Sequence, residues 1–281
     1  MNLLKTIFNK DKNIIIGAIH FPPLLGYPDF PGFDVALENA LADLRAFEHG
    51  GVDGIIIENN YDIPHKSSVN PEVMASLVYL GERIKSATKL PLGISVLWND
   101  YKTALSISKV LGLQFIRVPV FVDTVKTSYG IMEGNPDDVI HFRKSIQAEH
   151  VALFTDIHVK HSEIISKYTI VESAKQAIEK GSDVLMVTGR WTGEAPDLTE
   201  LKDVRENIND FPVICGSGVD EHNILNLFKY ANGAIVSTSL KDGDYKKDEV
   251  NIKAYSQRIN SKKVADLVNK IKDIVVQTPQ G

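Results

Sequence analysis

The chain lacks several features that define large classes of protein. It has one cysteine, Cys215, so no internal disulfide can form, and we expect a reducing compartment. No apolar run approaches the roughly 20 residues of a membrane span, and the first apolar stretch is too short for a secretory signal. The 36 acidic residues outnumber the 31 basic ones, which leaves no overall basic field for nucleic acid. These absences predict a cytoplasmic protein with no membrane span and no nucleic-acid partner.

The residues that are present suit one large globular domain. Hydrophobic residues make up 43% and charged residues 24% of the 281 positions, which is ordinary for a chain with a sizeable core. No linker, low-complexity tract or internal boundary divides the sequence. We therefore predict a single domain over residues 1–281, with its folded core at about 14–276.

Eight short runs of β-branched and other apolar residues predict strands. Most are continuous rather than alternating, which is typical of parallel strands buried on both faces. The predicted strands are 14–20, 54–59, 92–97, 115–121, 151–159, 183–188, 213–216 and 234–238.

Amphipathic segments with helical spacing separate and follow these strands. The predicted helices are 34–48, 71–85, 102–111, 136–147, 170–179, 198–208, 222–228 and 262–274. Strict alternation of strand and helix predicts a parallel sheet with right-handed crossovers. Eight units in a chain of this length favour closure into a single (β/α)8 TIM barrel, which takes about 250 residues. A doubly wound open sheet is the alternative.

Two strands near the C-terminal end run into small residues, at segments 212–223 and 232–244. Glycine lets backbone N–H groups approach an anion closely, and a following helix start adds its positive dipole end. The seventh and eighth strands of a TIM barrel place such a phosphate site in a fixed location. The predicted phosphate-binding residues are Gly216, Ser217, Gly218, Ser237, Thr238 and Ser239.

Polar residues gather where the other predicted strands end, which is the face that carries the chemistry of a TIM barrel. The candidate catalytic residues are Asp156, His158, Glu58, His20 and Lys160. The candidate substrate-binding residues are Asn59, Arg117, Thr188, Gly189 and Arg190.

The fifth predicted strand carries Asp156, His158 and Lys160 at a period of two. A carboxylate and an imidazole on one face would serve as general acid and base. Lys160 would contact a phosphate, or form a Schiff base if it is desolvated. A salt-bridged layer that closes the top of the barrel is the structural alternative.

A divalent metal is a second reading of the same residues. His20, Glu58, Asp156 and His158 would supply two imidazoles and two carboxylates. The chain has no compact ligand motif such as H-E-x-x-H, so we prefer acid–base roles and assign no cofactor. The segment 122–134, with two glycines, is long enough to form a lid over the site.

Several segments also resemble one known family. They are IGAIHFPPLLGYP, GGVDGIIIEN, IRVPVFVDTVKTSYGIMEG, DIHVKH and VICGSGV with NGAIVSTSLKDG, and they resemble the signature blocks of the BtpA/SgcQ family over residue 14 to about 244. The resemblance implies a ribulose-phosphate-binding type of TIM barrel. The family takes its name from a cyanobacterial protein associated with photosystem I biogenesis, and other members resemble phosphoribosylanthranilate isomerase or nucleoside triphosphatase. Ser128-Tyr129 stand where the family pattern has Asp-Gln.

Two function classes follow from these observations. The first is an enzyme that acts on a small phosphorylated substrate, of the sugar or ribosyl phosphate type, by acid–base chemistry as an isomerase, lyase or hydrolase. The second is a non-catalytic assembly or biogenesis factor that uses the barrel as a binding scaffold. Charged groups in a cavity favour the first, and an exposed apolar patch would favour the second. The oligomeric state stays open, with a homo-oligomer among the options.

Overall fold

The computed structural model describes residues 2–243 and 255–277. Met1, residues 244–254 and residues 278–281 of the predicted domain lie outside the described residues, and so does Asp244 at the end of the second predicted phosphate segment.

Eight parallel strands form a closed barrel, and they follow one another around it in chain order. The eighth strand pairs with the first, so no edge is left open. The barrel strands are Ile14–His20, Gly54–Glu58, Leu92–Ser95, Phe115–Val118, Ala152–Ile157, Val184–Val187, Val213–Cys215 and Gly233–Val236. The predicted TIM barrel is confirmed, and the open sheet is excluded.

Helices cover the outside of the barrel at the predicted places. They are Phe33–Gly50, Pro71–Ala87, Tyr101–Leu111, Pro136–Ser145, Ile170–Glu179, Leu198–Asn207, Ile224–Leu227 and Ser261–Gln277. An additional short helix, Leu3–Phe8, precedes the first strand and was not predicted. No helix within the described ranges is long and apolar enough to cross a membrane.

A cluster of apolar side chains fills the lower part of the barrel interior. Phe115 and Phe154 stack with ring centroids 4.5 Å apart, and Phe8 from the short first helix packs 5.8 Å from Phe115. Leu4 of the same helix is fully buried in this cluster. The first helix therefore plugs the N-terminal end of the barrel with hydrophobic side chains.

A three-stranded antiparallel sheet stands on the opposite end of the barrel. Its strands are Thr124–Thr127, Gly130–Glu133 and Ser162–Ile164, so it combines the loops that follow the fourth and fifth barrel strands. We call it the small sheet. Its base packs on Trp98, Val120 and Val159. The segment 122–134, predicted as a lid, is therefore a hairpin.

Candidate functional site

A charged layer closes the upper end of the barrel interior. Four strands each place one charged or titratable side chain there, and the inward residue two positions earlier on each strand is apolar. The upper residues are His20, Glu58, Arg117 and Asp156, above Ala18, Ile56, Phe115 and Phe154. Because side chains on a strand alternate between its two faces, a spacing of two keeps both layers inside.

Arg117 and Asp156 form the most deeply buried ion pair of this layer. Arg117 Nε and Nη2 donate to the two carboxylate oxygens of Asp156 at 2.8 and 2.7 Å. Asp156 is 1% exposed, and Arg117 is 6% exposed. Burial raises the pKa of the Asp156 carboxyl, and the bidentate guanidinium opposes that rise. Both carboxylate oxygens of Asp156 are thus engaged by Arg117, a geometry that suits a positioning residue.

Glu58 lies between Arg117 and His20. Its Oε1 is 3.7 Å from Arg117 Nη1, and its Oε2 is 3.4 Å from His20 Nε2. Burial alone would raise the pKa of this carboxyl, but the hydrogen bond from His20 and the charges of Arg117 and Lys160 lower it to about 2. Oε1 is buried and has no hydrogen-bond partner among the described residues. Glu58 is therefore an ionised carboxylate whose Oε1 has an ion-pair contact but no hydrogen bond.

His20 is held beside Glu58 as a neutral imidazole. Burial lowers its pKa, the hydrogen bond to Glu58 raises it, and the positive charge of Lys241 lowers it again, for a net fall below 6.5. The ring packs edge-on to Tyr61 with centroids 6.5 Å apart. Since Nε2 faces the carboxylate and carries the proton, the lone pair of the neutral ring is on Nδ1. His20 can accept a proton there.

Lys160 follows the fifth strand and lines a cavity that His20, Glu58 and Arg117 also line. Its backbone N–H donates to Thr188 Oγ1 at 3.0 Å, which anchors the chain at this point. Burial lowers the pKa of the ammonium, and the charge of Arg117 lowers it further, to about 8, against the opposing charges of Glu58 and Asp156. The structure therefore brings Lys160 together with His20, Glu58 and Arg117.

His158 does not join this group. The fifth strand ends at Ile157, and His158 has a φ of 51°, so the alternation on which the prediction rested stops one residue earlier. Its backbone N–H donates to Asp123 at 3.1 Å, and its Nε2 lies 3.2 Å from the carbonyl oxygen of Tyr168. The expectation that His158 shares a face with Asp156 is wrong.

The position of His158 also argues against the predicted metal site. His158 lies apart from the other three predicted ligands, and Asp156 directs both oxygens to Arg117. Across residues 2–243 and 255–277, no group of three or more His, Cys, Asp or Glu side chains is placed to hold a metal ion. The four residues His20, Glu58, Asp156 and His158 do not form one site.

The predicted phosphate-binding residues all line one cavity. It has a volume of about 420 Å³ and also receives the side chains of His20, Glu58, Arg117 and Lys160. This volume lies within the usual range for small-molecule sites, about 300–1,000 Å³. The six residues from the two strand ends are Gly216, Ser217, Gly218, Ser237, Thr238 and Ser239. The structure thus places the predicted phosphate-binding residues and the charged residues of the upper layer around one cavity.

The two glycines of the seventh strand end are also required by their neighbours. A Cβ on Gly216 would lie 2.8 Å from Thr188 Cγ2 and 3.3 Å from Arg117 Nη2. Gly218 has a φ of 63°, and a Cβ there would lie 2.0 Å from the carbonyl carbon of Glu194. Close packing therefore explains both glycines, in addition to any approach of an anion.

The hydroxyl groups of these strand ends are used unequally. Ser217 Oγ accepts from Gly189 N and donates to Glu194 O, and Ser239 Oγ donates to Val219 O at 2.7 Å. Ser237 Oγ is buried and has no partner within the described part of the chain. Ser237 also precedes a short 3-10 helix, Thr238–Leu240, which sequence reasoning did not find. Ser237 and the residues of that helix all line the cavity.

Three predicted substrate-binding residues have other tasks. Asn59 is fully buried, where its Oδ1 accepts from Leu97 N at 2.7 Å and its Nδ2 donates to Asp62. Gly189 donates to Ser217 Oγ, and Arg190 is exposed to solvent. None of the three lines the cavity.

Thr188 supports the site indirectly. Its hydroxyl accepts the backbone N–H of Lys160, and its methyl group packs near Gly216. Of the five predicted substrate-binding residues, Arg117 alone reaches the cavity.

Sequence reasoning missed Lys241, which is 3% exposed near the eighth strand end. Its Nζ lies 3.3 Å from Tyr61 Oη and 5.6 Å from the centre of that ring. Its charge acts on His20, as described above. Lys241 lies two residues after Ser239, the last small residue of the eighth-strand segment, so its position was a usable signal.

Comparison with known proteins places the chain among related sequences. The pattern of the BtpA family matches residues 11–266. The photosystem I biogenesis protein BtpA of Synechocystis is 35% identical over 244 residues, which cover 86% of this chain and 84% of that protein. An uncharacterised protein of Methanocaldococcus jannaschii is 33% identical over 266 residues, covering 93% and 97%.

Solved structures share the fold at low sequence identity. The (S)-3-O-geranylgeranylglyceryl phosphate synthase of Thermoplasma acidophilum, in complex with its substrate sn-glycerol-1-phosphate, matches with a TM-score of 0.59 and 14% identity, over 96% of this chain and 97% of that one. The N-(5'-phosphoribosyl)anthranilate isomerase of Pyrococcus furiosus matches with a TM-score of 0.52 and 14% identity, over 93% and 99%. At this identity the likeness shows the TIM-barrel fold alone, and both of these proteins are named for phosphorylated compounds.

Proposed function

This chain belongs to the BtpA family, and we propose that it is an enzyme acting on a small phosphorylated substrate of the sugar or ribosyl phosphate type. The phosphate binds at the ends of the seventh and eighth strands. Acid–base chemistry follows at the charged layer of the barrel.

One observation carries this proposal. Two buried polar atoms without partners in the described residues, Glu58 Oε1 and Ser237 Oγ, belong to residues that line the same cavity. A buried polar group without a hydrogen bond costs about 1–3 kcal/mol, so a bound ligand that satisfies both is favoured. A phosphate oxygen suits the Ser237 hydroxyl, and a substrate hydroxyl suits the Glu58 carboxylate.

His20 is the proton acceptor in this proposal. Glu58 holds the neutral ring through Nε2, which leaves Nδ1 to take a proton from the bound substrate. The arrangement follows the general rule that a catalytic base is itself oriented by a third group. Arg117 keeps Glu58 ionised, and Asp156 keeps Arg117 in place. An isomerase, a lyase and a hydrolase can all use such a base.

A matched pair of variants at Ser237 tests the phosphate site. Ser237→Asp would place a negative charge beside the bound phosphate, whereas Ser237→Asn has nearly the same shape and no charge. Both residues are accepted at the start of a helix. We expect calorimetric titration with inorganic phosphate to show at least tenfold weaker binding for Ser237→Asp than for Ser237→Asn. Equal binding by the two variants would place the phosphate elsewhere.

The substrate itself can be sought in the purified protein. Native mass spectrometry of freshly purified protein is expected to reveal a phosphorylated compound that the Ser237→Asp variant does not retain. His20→Gln removes the proton acceptor but keeps an amide that can face Glu58. Its turnover of the identified compound should fall by roughly 10²–10⁴-fold, while its binding of inorganic phosphate persists.

An assembly role is the second candidate, and one surface favours it. The small sheet and the loop beside it expose large apolar side chains at Ile131, Ile165 and Tyr168, and the Synechocystis relative is named a biogenesis protein. Genetic complementation separates the two candidates. In a host that lacks the gene, Glu58→Gln should fail to restore growth if the protein is an enzyme, whereas Ile131→Ser should fail if this surface binds a partner.

A further inference from the structure

Lys160 differs from two other lysines near the cavity, Lys241 and Lys263. Its side chain reaches the cavity, yet its Nζ has no hydrogen bond or ion pair to any residue of the two described ranges. Lys241 contacts the Tyr61 hydroxyl, and Lys263 Nζ donates to the carbonyl oxygen of Lys241 at 2.8 Å. Those two lysines are held by their neighbours. The amine of Lys160 is left for a ligand.

The surroundings of Lys160 disfavour its charged form. The two carboxylates whose charges act on Lys160 also contact other groups: both oxygens of Asp156 bond to Arg117, and Glu58 lies between Arg117 and His20. Arg117 adds a positive charge close by. A lysine that is desolvated beside another cation is the usual arrangement for a nucleophilic amine.

We propose that Lys160 attacks the carbonyl carbon of a phosphorylated aldehyde or ketone and forms a Schiff base with it. The inference rests on the proposed function, because the phosphate at the seventh and eighth strand ends is what brings the carbonyl group to Lys160. It narrows the substrate class from phosphorylated compounds in general to those with a free carbonyl group.

The step balances with the groups present. The neutral amine adds to the carbonyl carbon, and the carbonyl oxygen becomes the hydroxyl of a carbinolamine. Loss of that hydroxyl as water leaves a carbon–nitrogen double bond, and the iminium form keeps one proton on nitrogen. Overall, a lysine ammonium and a carbonyl give an iminium and water, with no oxidant or reductant. His20 Nδ1 can accept the proton that the ammonium loses before it attacks and then return it to the departing hydroxyl, which leaves as water.

The fraction of neutral amine supports this role. With a pKa of about 8, about one Lys160 side chain in ten is uncharged at pH 7. An ordinary lysine with a pKa of about 10.4 would be uncharged in only about one case in 2,500. The site therefore raises the supply of nucleophile by a factor of roughly 200.

Reductive trapping tests the proposal directly. The protein is incubated with pyridoxal 5'-phosphate or dihydroxyacetone phosphate, reduced with sodium borohydride, digested and mapped by mass spectrometry. We expect a dominant single adduct at Lys160 with both compounds, and competition by inorganic phosphate. Lys160→Arg should lower the total adduct at least tenfold, whereas Lys126→Arg, a solvent-exposed side chain on the central strand of the small sheet, should leave it unchanged. Equal labelling of Lys160→Arg and the parent protein would overturn the inference.

Phosphate binding distinguishes a failure of this inference from a failure of the proposed function. Lys160→Arg should bind inorganic phosphate within about threefold of the parent protein, because the phosphate site is formed by other residues. If the parent binds phosphate and Ser237→Asp does not, but no adduct forms at Lys160, the Schiff base is excluded and the proposed function stands. If the parent does not bind phosphate at all, the proposed function itself is wrong. A thermal melt of Lys160→Arg confirms that the variant is folded.

Discussion

The same strands build the lower and upper layers of the barrel interior, but the lower layer is apolar and the upper layer is charged. Below, Phe115 and Phe154 stack on each other and are covered by Phe8. Above, two residues further along the same two strands, Arg117 and Asp156 form a bidentate ion pair. The lower layer lowers the free energy of folding by removing apolar surface from water, whereas the upper layer must offset the desolvation of its charges.

The contrast shows why the charges are confined to one end. A buried ion pair seldom stabilises a protein more than apolar residues of similar volume would. The fold tolerates this cost at the C-terminal ends of the strands, where the loops can form a cavity for a ligand. There Glu58, His20 and Lys160 keep atoms that no described neighbour uses fully. The upper layer therefore combines an internally satisfied pair with groups left for substrate.

The largest effect on stability is expected from Asp156→Asn. This change leaves the buried Arg117 charge without its bidentate partner and should lower the free energy of unfolding by about 3–5 kcal/mol. Urea denaturation measures the loss. Asp137→Asn is the control, because its ion pair with Lys180 is at the surface and should contribute less than about 1 kcal/mol. A stable Asp156→Asn variant with impaired turnover would show that Asp156 is a catalytic group after all.

The pH dependence of trapping sharpens the comparison, because the lower layer has no group that titrates. The folded Lys160 has a pKa of about 8, so its neutral fraction rises from about 0.01 at pH 6 to about 0.5 at pH 8. The initial rate of borohydride-trapped adduct formation with dihydroxyacetone phosphate should therefore rise by about 50-fold over this interval and level off above pH 9. A rate that keeps rising tenfold per pH unit beyond pH 9 would indicate an ordinary lysine.

The smallest effect is expected from Phe154→Leu in the lower layer. Loss of the stacked ring and part of its buried surface should lower the free energy of unfolding by roughly 1–2 kcal/mol. Binding of inorganic phosphate by the folded protein should be unchanged, because Phe154 lies below the charged layer. Calorimetric titration beside a thermal melt measures both quantities. Weaker phosphate binding at full stability would mean that the two layers are coupled.

The sequence alone was sufficient to predict the barrel and the small residues that line one side of the cavity. Eight continuous apolar runs alternate with amphipathic segments, and parallel strands with covering helices are the arrangement that buries both. The glycine and serine segments at residues 216–218 and 237–239 follow the last two strands, so the barrel topology brings them together. The family resemblance pointed to the same fold and is confirmed.

The tertiary structure decided the partners of each charge. Asp156 and His158 are two residues apart, and alternation along a strand would place them on one face, but the strand ends between them and His158 turns away. Asp156 takes its partner from Arg117, 39 residues earlier in the chain. Asn59, chosen as a ligand for substrate, instead joins the loops after the second and third strands.

The physical reason is the range of the interactions involved. Strand and helix patterns depend on residues within about one turn or a few positions, so a single sequence carries them. Other properties depend on groups from different strands that lie a few ångströms apart. These properties are the pairing of each buried charge, the absence of a hydrogen bond at Glu58 Oε1 and the lowered pKa of Lys160. Sequence therefore determined where the chemistry of this protein lies, and the packing of the barrel determined which residues are free to perform it.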